Sequence, residues 1–207
     1  MSFKRIDENT WERKEWFDHY LHEAPCSYST TVSLDITHIQ GARLYPALLW
    51  FITQTVNEQK EFRTAVCADG VGYFSDMHPS YTILNPKRKT FSIIWTEFSP
   101  CYATFLKRYE QDVERYASST QMYPKPGMPQ NTFDVSMIPW LDFSSFSLHL
   151  SPEPYTLPIF TLGKATYGEG TRTIPLAIQV HHSVCDGYHV GCFVDSLQSK
   201  LREGKLQ

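Results

Sequence analysis

Three histidines and one aspartate lie within eleven residues near the C-terminal end of the chain. The stretch QVHHSVCDGYH spans residues 179–189 and contains His181, His182, Asp186 and His189. Histidine is the side chain whose ordinary pKa lets it accept and release a proton near neutral pH. At the end of a strand it can also be held in one tautomer, as a general base requires. The stretch therefore indicates acid–base chemistry.

Metal binding and covalent catalysis fit this stretch less well than proton transfer. Neighbouring strand residues point to opposite faces, so His181 and His182 cannot easily converge on one ion, and no CxxC or HExxH spacing accompanies them. The sequence therefore predicts no metal site. The absence of GxSxG argues against a serine hydrolase. Cys185 lies three residues from His182 and stays open as a nucleophile, although no orienting partner is evident.

The surrounding pattern predicts a corner between a strand and a helix. TIPLAIQVHH has the apolar, β-branched character of a strand, and GYHVGCFVDSLQSKL has the spacing of a helix. Asp186 stands where it would cap the helix, and Gly187 permits a tight turn. These two residues, and His189 on the helix, could be purely structural. Of the two adjacent histidines, one should face the core and the other the opposite surface.

The rest of the chain alternates irregularly between helix and strand patterns. Helices are predicted at residues 11–22, 43–58, 101–119 and 187–201. Strands are predicted at residues 28–38, 133–138, 141–150, 159–165 and 173–180, with three or four more between residues 63 and 98. The stretch STQMYPKPGMPQN, residues 119–131, predicts an irregular loop. Because regular βαβ alternation is missing, we expect an α/β protein of the α+β two-layer type, with a mixed, largely antiparallel sheet covered by helices.

Length and composition indicate one cytoplasmic domain. The 207 residues suit a single domain over residues 1–207, and a hydrophobic content of 42% suffices for a core. The net charge of −3 is spread without a basic stripe, which argues against nucleic-acid binding. No apolar segment is long enough to span a membrane, and no secretory leader is recognisable. The five scattered cysteines predict reduced thiols.

Motifs along the whole chain resemble those of the chloramphenicol acetyltransferase family. HHSVCDGYH is similar to the HHxxxDG motif that this family shares with dihydrolipoyl acyltransferases and peptide-synthetase condensation domains. The longer PLAIQVHHSVCDGYHVG resembles the classical trimeric members specifically. Further matching strings follow in the same order: WERKEWFDHY, APCSYS, LYPALLWFITQTVN, YPKPG, VSMIPWLDFSSFSL and PIFTLGK.

The resemblance implies an acetyl-CoA-dependent O-acetyltransferase that acts on chloramphenicol and thereby gives antibiotic resistance. It implies a homotrimer with active sites at subunit interfaces, with neither a metal nor a covalent acyl-enzyme. By resemblance, His182 is the general base and Ser136 stabilises the oxyanion. Asp186 supports the base through an ion pair with Arg13 and is not a charge relay. Thr161 orders water near the reacting centre.

The resemblance also implies the substrate contacts. Those for chloramphenicol are Tyr20, Cys26, Tyr28, Phe91, Tyr123, Phe146 and Ile159. Those for acetyl-CoA, a co-substrate and not a bound cofactor, are Tyr45, Trp140 and Lys164. Tyr123 stands where the family often has phenylalanine, and Ala165 stands where several members have tyrosine. The first departure adds a hydroxyl to an apolar wall, and the second removes an aromatic contact to the coenzyme. Asp134 is a variable position without an assigned role.

Two alternatives stay open. An acyltransferase of the same fold could act on another hydroxyl acceptor, with Tyr123 and Ala165 marking the divergence. A non-catalytic trimer could bind the drug and sequester it, but the presence of His182, Ser136 and the other motif residues argues against that reading.

Overall fold

The computed structural model describes residues 2–148 and 154–206. Its strands are β1 (Phe3–Arg5), β2 (Ser27–Asp35), β3 (Thr64–Cys67), β4 (Gly70–Phe74), β5 (His78–Asn85), β6 (Thr90–Trp95), β7 (Thr132–Met137), β8 (Ile159–Leu162), β9 (Thr166–Gly168) and β10 (Thr171–His181). Its helices are α1 (Lys14–Asp18), which continues as a π-helical turn over His19–Glu23, α2 (Leu44–Glu58), α3 (Tyr102–Tyr116) and α4 (Gly187–Glu203), with a short 3₁₀ turn at Glu61–Arg63.

Most strands belong to one seven-stranded mixed sheet. Its order is β2-β10-β8-β7-β5-β6, and β9 adds to β10 beside this path. Strand β7 runs parallel to both of its neighbours, β5 and β8, and the other pairs are antiparallel. Strands β1, β4 and β3 form a separate antiparallel sheet. Strand β10, which ends at His181 and is followed directly by His182, is therefore the second strand of the large sheet, beside the edge strand β2.

The three long helices form a layer against the large sheet. Helix α2 contacts both α3 and α4. Against the sheet, α2 contacts β5, α3 contacts β6 and α4 contacts β2. Helix α2 is apolar on nearly every side, and its residues are buried accordingly. Helix α3 is amphipathic and buries Phe105 and Tyr109. This arrangement is the α+β architecture that the sequence predicts.

Most predicted elements are confirmed, with different ends. The segment between residues 63 and 98 contains four strands, and residues 119–131 have no helix or strand. The first helix is shorter than expected, because regular α-helix occupies only Lys14–Asp18 before the π-helical turn. The sequence does not predict strand β1, because three residues are too few to show an alternating pattern. No helix in the described part of the chain is long and apolar enough to cross a membrane.

The strand predicted at residues 141–150 is wrong over its described part, residues 141–148, which have no regular structure. Here the chain crosses the end of β8 instead of pairing along it. The amide of Lys164 donates to the carbonyl of Leu141 at 2.7 Å, and Phe143 packs directly on Gly163. A Cβ at Gly163 would lie 2.8 Å from the Phe143 ring and 2.9 Å from the Leu141 carbonyl oxygen. The missing side chain of Gly163 therefore makes room for this crossing.

Candidate active site

The corner between β10 and α4 is held together by Arg13 from the N-terminal part of the chain. Its guanidinium donates to both carboxylate oxygens of Asp186, at 2.5 and 2.6 Å. The same group donates to the backbone carbonyls of His182 at 2.7 Å and Ser183 at 2.9 Å. The hydrogen bonds from Arg13 hold the pKa of Asp186 below its usual range. The ion pair expected between these two residues is present, and it also binds the backbone of the histidine.

Asp186 is the N-cap residue of α4, and the third residue of that helix completes the turn. The backbone amide of Asp186 donates to Nδ1 of His189 at 2.9 Å. This bond gives His189 the structural role that the sequence suggested. Asp186 is therefore held by two sets of hydrogen bonds, one from Arg13 to its carboxylate and one between its amide and His189.

His181 is the buried member of the histidine pair. Its Nδ1 lies 2.7 Å from the hydroxyl of Ser183 and accepts a longer hydrogen bond, 3.3 Å, from the Ser183 amide. Burial lowers its pKa, and the neighbouring His182 lowers it further. The lowered pKa favours the neutral imidazole, and the contacts with Ser183 anchor the ring at the end of β10.

His182 lies between two aromatic rings, with its side chain 30% exposed. The ring stacks on Tyr20, with centroids 4.0 Å apart and planes 8° apart, and it meets the edge of Tyr28 at 5.3 Å. Its amide donates to the carbonyl of Cys26 at 2.8 Å. The two histidines thus differ in environment: His181, the last residue of β10, is buried, and His182, in the turn that follows, keeps part of its ring exposed.

The contact between His182 and Asp186 is electrostatic and not a hydrogen bond. Nδ1 of His182 lies 3.0 Å from Oδ1 of Asp186, but the ring is not aligned for donation, and this buried nitrogen has no hydrogen-bond partner. Arg13 already occupies both oxygens of the carboxylate. The exposed part of the imidazole consequently lies away from Nδ1 and is free to meet a substrate.

Cys185 cannot serve as the nucleophile that its spacing left open. Its side chain is buried in the hydrophobic core, and burial raises the pKa of its thiol. The hydroxyl of Tyr28 donates to its backbone carbonyl at 3.3 Å. A buried, protonated thiol is a poor nucleophile, so Cys185 is a core residue.

Ser136 and Thr161 form a second polar group in the middle of the large sheet. They are register partners on the parallel strands β7 and β8, and their hydroxyl oxygens lie 2.9 Å apart. Thr161 is buried, and Ser136 is half-buried on the floor of a cavity of about 770 Å³. A serine hydroxyl with a fixed partner can be held in the orientation that donation to a charged oxygen requires.

Most of the predicted contact residues line this same cavity. They are Tyr45, Phe91, Tyr123, Trp140, Phe146 and Ile159. The rings of Phe91, Tyr123 and Trp140 are exposed at its rim. The cavity is therefore largely aromatic and apolar, with the Ser136 hydroxyl among its polar lining groups, and such a cavity suits a flat organic ligand.

Sequence reasoning left out Asp134, which also lines this cavity. It lies two residues before Ser136 and therefore points to the same face of β7. The hydroxyl of Tyr155 donates to its carboxylate at 3.0 Å, and burial raises the pKa of that carboxyl. Strand alternation could have identified Asp134 as a cavity residue, since residues two apart on β7 point to the same face as each other and Ser136 was already selected.

The remaining predicted residues lie elsewhere. Cys26 and Tyr28 line a separate cavity of about 600 Å³, and Tyr20 lies against His182. Lys164 is exposed just beyond the end of β8 and lines neither cavity. In the described part of the chain, no group of three histidine, cysteine or acidic residues could hold a metal ion.

One chain does not bring His182 to Ser136. Ser136 lies beside Thr161, and Thr161 lies beside Ala177 on β10, two strands away. His182 follows five residues after Ala177. With ~3.3 Å per residue along a strand and ~4.8 Å between strands, the Cα positions of the two residues lie about 19 Å apart. The two groups are too far apart to act on one reacting centre within the same chain.

Comparisons with known proteins identify the family. The protein-family model described as chloramphenicol acetyltransferase matches residues 1–198 of this chain. A chloramphenicol acetyltransferase from Campylobacter coli is 49% identical over 207 residues, covering 98% of this chain and 100% of that protein. One from Vibrio anguillarum is 48% identical over 206 residues, covering 98% and 95%.

Solved structures agree on the fold. A chloramphenicol acetyltransferase structure superposes with a TM-score of 0.88 at 21% identity and covers 97% of this chain and 100% of that one. The dihydrolipoamide acetyltransferase of Azotobacter vinelandii gives a TM-score of 0.64 at 15% identity, covering 85% and 81%. The matches along almost the whole sequence show that this chain belongs to the chloramphenicol acetyltransferase family.

Proposed function

We propose that the protein transfers the acetyl group of acetyl-CoA to the primary hydroxyl of chloramphenicol and so confers resistance to this antibiotic. The observation that carries the proposal is the near-full-length match to relatives of that name at 49% identity. The aromatic cavity with a serine hydroxyl on its floor supports it, because such a cavity suits a flat, neutral acceptor.

In the proposed reaction both substrates are bound together and His182 is the general base. The imidazole takes the proton of the primary hydroxyl while the oxygen attacks the thioester carbonyl. The tetrahedral intermediate then expels the thiolate of coenzyme A, which takes the same proton back from the imidazolium. Because Nδ1 of His182 is buried beside Asp186, the proton passes through Nε2.

Ser136 donates its hydroxyl hydrogen to the oxyanion of the intermediate. Its neighbour Thr161 then donates to Ser136 or orders a water molecule beside it, which the 2.9 Å contact between the hydroxyls supports. A preorganised donor of this kind typically lowers the barrier by about 2.7–4 kcal/mol. Arg13 and Asp186 keep the histidine in place by holding its backbone.

The two substrates would meet at this centre and share the large cavity. Chloramphenicol lies among the aromatic side chains of the large cavity, with Tyr20, Cys26 and Tyr28 beside the base. Acetyl-CoA approaches past Tyr45, Trp140 and Lys164, where the exposed ammonium of Lys164 can meet a phosphate.

We infer that the active enzyme is a homotrimer with its sites between subunits. The separation of about 19 Å between His182 and Ser136 supports this inference, because the neighbouring subunit must supply one of them. A contact between subunits would also cover the exposed rings at the cavity rim, Phe91, Tyr123 and Trp140. We further propose that each subunit is a single domain that works in the cytoplasm without metal, nucleic acid or membrane.

A thiol-release assay tests the function. Protein, acetyl-CoA, chloramphenicol and a thiol reagent are mixed, and free coenzyme A is followed. Release that depends on chloramphenicol is expected. Release only with other alcohols would instead point to another acceptor, and tight drug binding without release would point to sequestration.

A further inference from the structure

We propose that Lys125 is a positioning residue for the acceptor: its ion pair with Asp112 fixes the loop that carries Tyr123 into the wall of the large cavity. This inference rests on the proposed function, because it takes that cavity as the acceptor site. Lys125 does not line the cavity and acts through its neighbours.

The loop over residues 119–131 has no helix or strand to hold it. Its course before Tyr123 is set by two contacts with β6. The hydroxyl of Ser92 donates to the carbonyl of Gln121 at 2.7 Å, and the amide of Ile93 donates to the carbonyl of Met122 at 2.6 Å. Both contacts precede Tyr123, so a second anchor is needed beyond it to define where this ring lies.

Lys125 is that anchor. Its ammonium donates to Oδ1 of Asp112 on α3 at 2.7 Å and to the carbonyl of Trp95 at 2.8 Å. It also lies 4.1 Å from the centre of the Trp95 ring. The Lys125 and Asp112 side chains are both only 17% exposed. A shielded ion pair with further hydrogen bonds on each partner is more specific in geometry than an exposed one.

The same ion pair reaches the cavity by a second route. The hydroxyl of Thr96 donates to Oδ2 of Asp112 at 2.7 Å. The oxygen of Thr96 must then accept from the hydroxyl of Tyr81, 2.8 Å away, and Tyr81 lines the cavity. Asp112 thus links a ring of the cavity to the anchor of the loop.

Loss of the ammonium should move the loop more than the sheet. Asp112 lies within a helix, and Trp95 and Tyr81 lie within strands, so their backbones have partners of their own. The loop beyond Met122 would lose its contacts with Asp112 and Trp95. Tyr123 would then sample several positions, and the acceptor would have to fix one of them on binding.

The experiment compares Lys125→Met with Lys200→Met as a matched control. Lys200 also forms an ion pair, with its ammonium 2.6 Å from Glu58 and its side chain 20% exposed, although Glu58 is 47% exposed. This pair joins α4 to α2 away from the cavity. For each variant we would measure the melting temperature, kcat, the KM of each substrate and the equilibrium binding of chloramphenicol alone.

We expect Lys125→Met to raise the KM and Kd of chloramphenicol by about five- to twentyfold, while kcat and the KM of acetyl-CoA change less than about threefold. Lys200→Met should lower only the melting temperature. Lys125→Arg should recover most of the affinity, since guanidinium can pair with Asp112 and lie on Trp95. An unchanged chloramphenicol KM in folded Lys125→Met, or the same loss in both lysine variants, would overturn the proposal.

Two further measurements keep the test decisive. If Lys125→Met does not fold, Asp112→Asn removes the charge of the partner with little change in shape and should raise the chloramphenicol KM in the same direction. Wild-type thiol release is measured first, so a failure of the proposed function is seen there and not in the variants. The Kd of chloramphenicol tests the loop even without turnover.

Discussion

Arg13 and Asp186 are 173 residues apart in the sequence and form a bidentate ion pair, with hydrogen bonds of 2.5 and 2.6 Å. Two further donors of Arg13 bind the carbonyls of His182 and Ser183. A planar guanidinium suits this arrangement because its donors point in fixed directions, which a lysine could not reproduce. The pair therefore connects the start of the chain to the backbone of the proposed base.

Arg13→Ala and Asp186→Ala should each lower both stability and turnover, and the double variant should be harmed less than their sum. Because Asp186 keeps about a third of its side chain in water, we expect about 1–3 kcal/mol for each loss, below the value for a fully buried pair. Denaturant unfolding of the wild type, the two single variants and the double variant gives the coupling energy between the two side chains. Additive effects would mean that the pair does not stabilise the corner.

The same pair should make stability depend on acidity. Arg13 lowers the pKa of Asp186 in the folded protein, so the unfolded chain binds the proton more readily. The stabilisation is present above the ordinary pKa of the carboxyl and is lost as the pH falls below it. In Asp186→Asn the free energy of unfolding should fall less steeply over that acidic range.

Ser136→Ala should lower kcat by about 10²–10³ while chloramphenicol affinity barely changes, because the hydroxyl acts when charge develops on oxygen. The change also leaves the buried Thr161 without its 2.9 Å partner, so stability should fall by about 1–3 kcal/mol. Thr161→Ser keeps a hydroxyl beside Ser136 and serves as the control. Near-normal kcat in a folded Ser136→Ala protein would remove Ser136 from the mechanism.

Replacing His182 should lower turnover, whereas replacing His181 should lower stability. His182→Gln should fold normally and bind chloramphenicol, and its turnover should fall by at least about 10²–10⁴, the usual effect of losing a general base. His181→Gln should instead lose stability and keep much of its turnover while folded. A folded but inactive His181 variant beside an active His182 variant would invert the assignment.

His181 should also contribute a pH dependence of its own. Burial lowers its pKa, so the unfolded chain binds more protons near and below the ordinary range of histidine, about 6.5. Stability of the wild type should therefore fall as the pH drops below that range. Unfolding at several pH values should give a flatter curve for His181→Gln, and an equally steep curve would contradict this role.

The sequence predicts each local cluster better than it predicts their spacing. The pattern predicts the corner after β10 that carries His181 and His182, and the motif resemblance selects Ser136 and Thr161, which are register partners in the sheet. The distance between His182 and Ser136 depends on strand order in the sheet, which local patterns do not encode. The strand predicted at residues 141–150 is wrong over residues 141–148 for a similar reason, because a contact with Gly163, distant in sequence, decides the course of that part.

Mixed trimers test whether the site is shared between subunits. His182→Ala and Ser136→Ala chains are each expected to be nearly inactive, but co-expressed chains should form hybrids in which an intact histidine faces an intact serine. With random assembly of equal amounts, each site receives both intact residues in about a quarter of cases, so about a quarter of wild-type activity should return. A site within one chain could not be repaired in this way, since every chain would lack one of the two residues. Co-expression of Ser136→Ala with the double variant supplies the control, because no chain then carries the serine. If differently tagged chains prove that hybrids form and their activity still equals that of the parents, the shared site is wrong, and the distance of about 19 Å would have to close by a rearrangement within one chain.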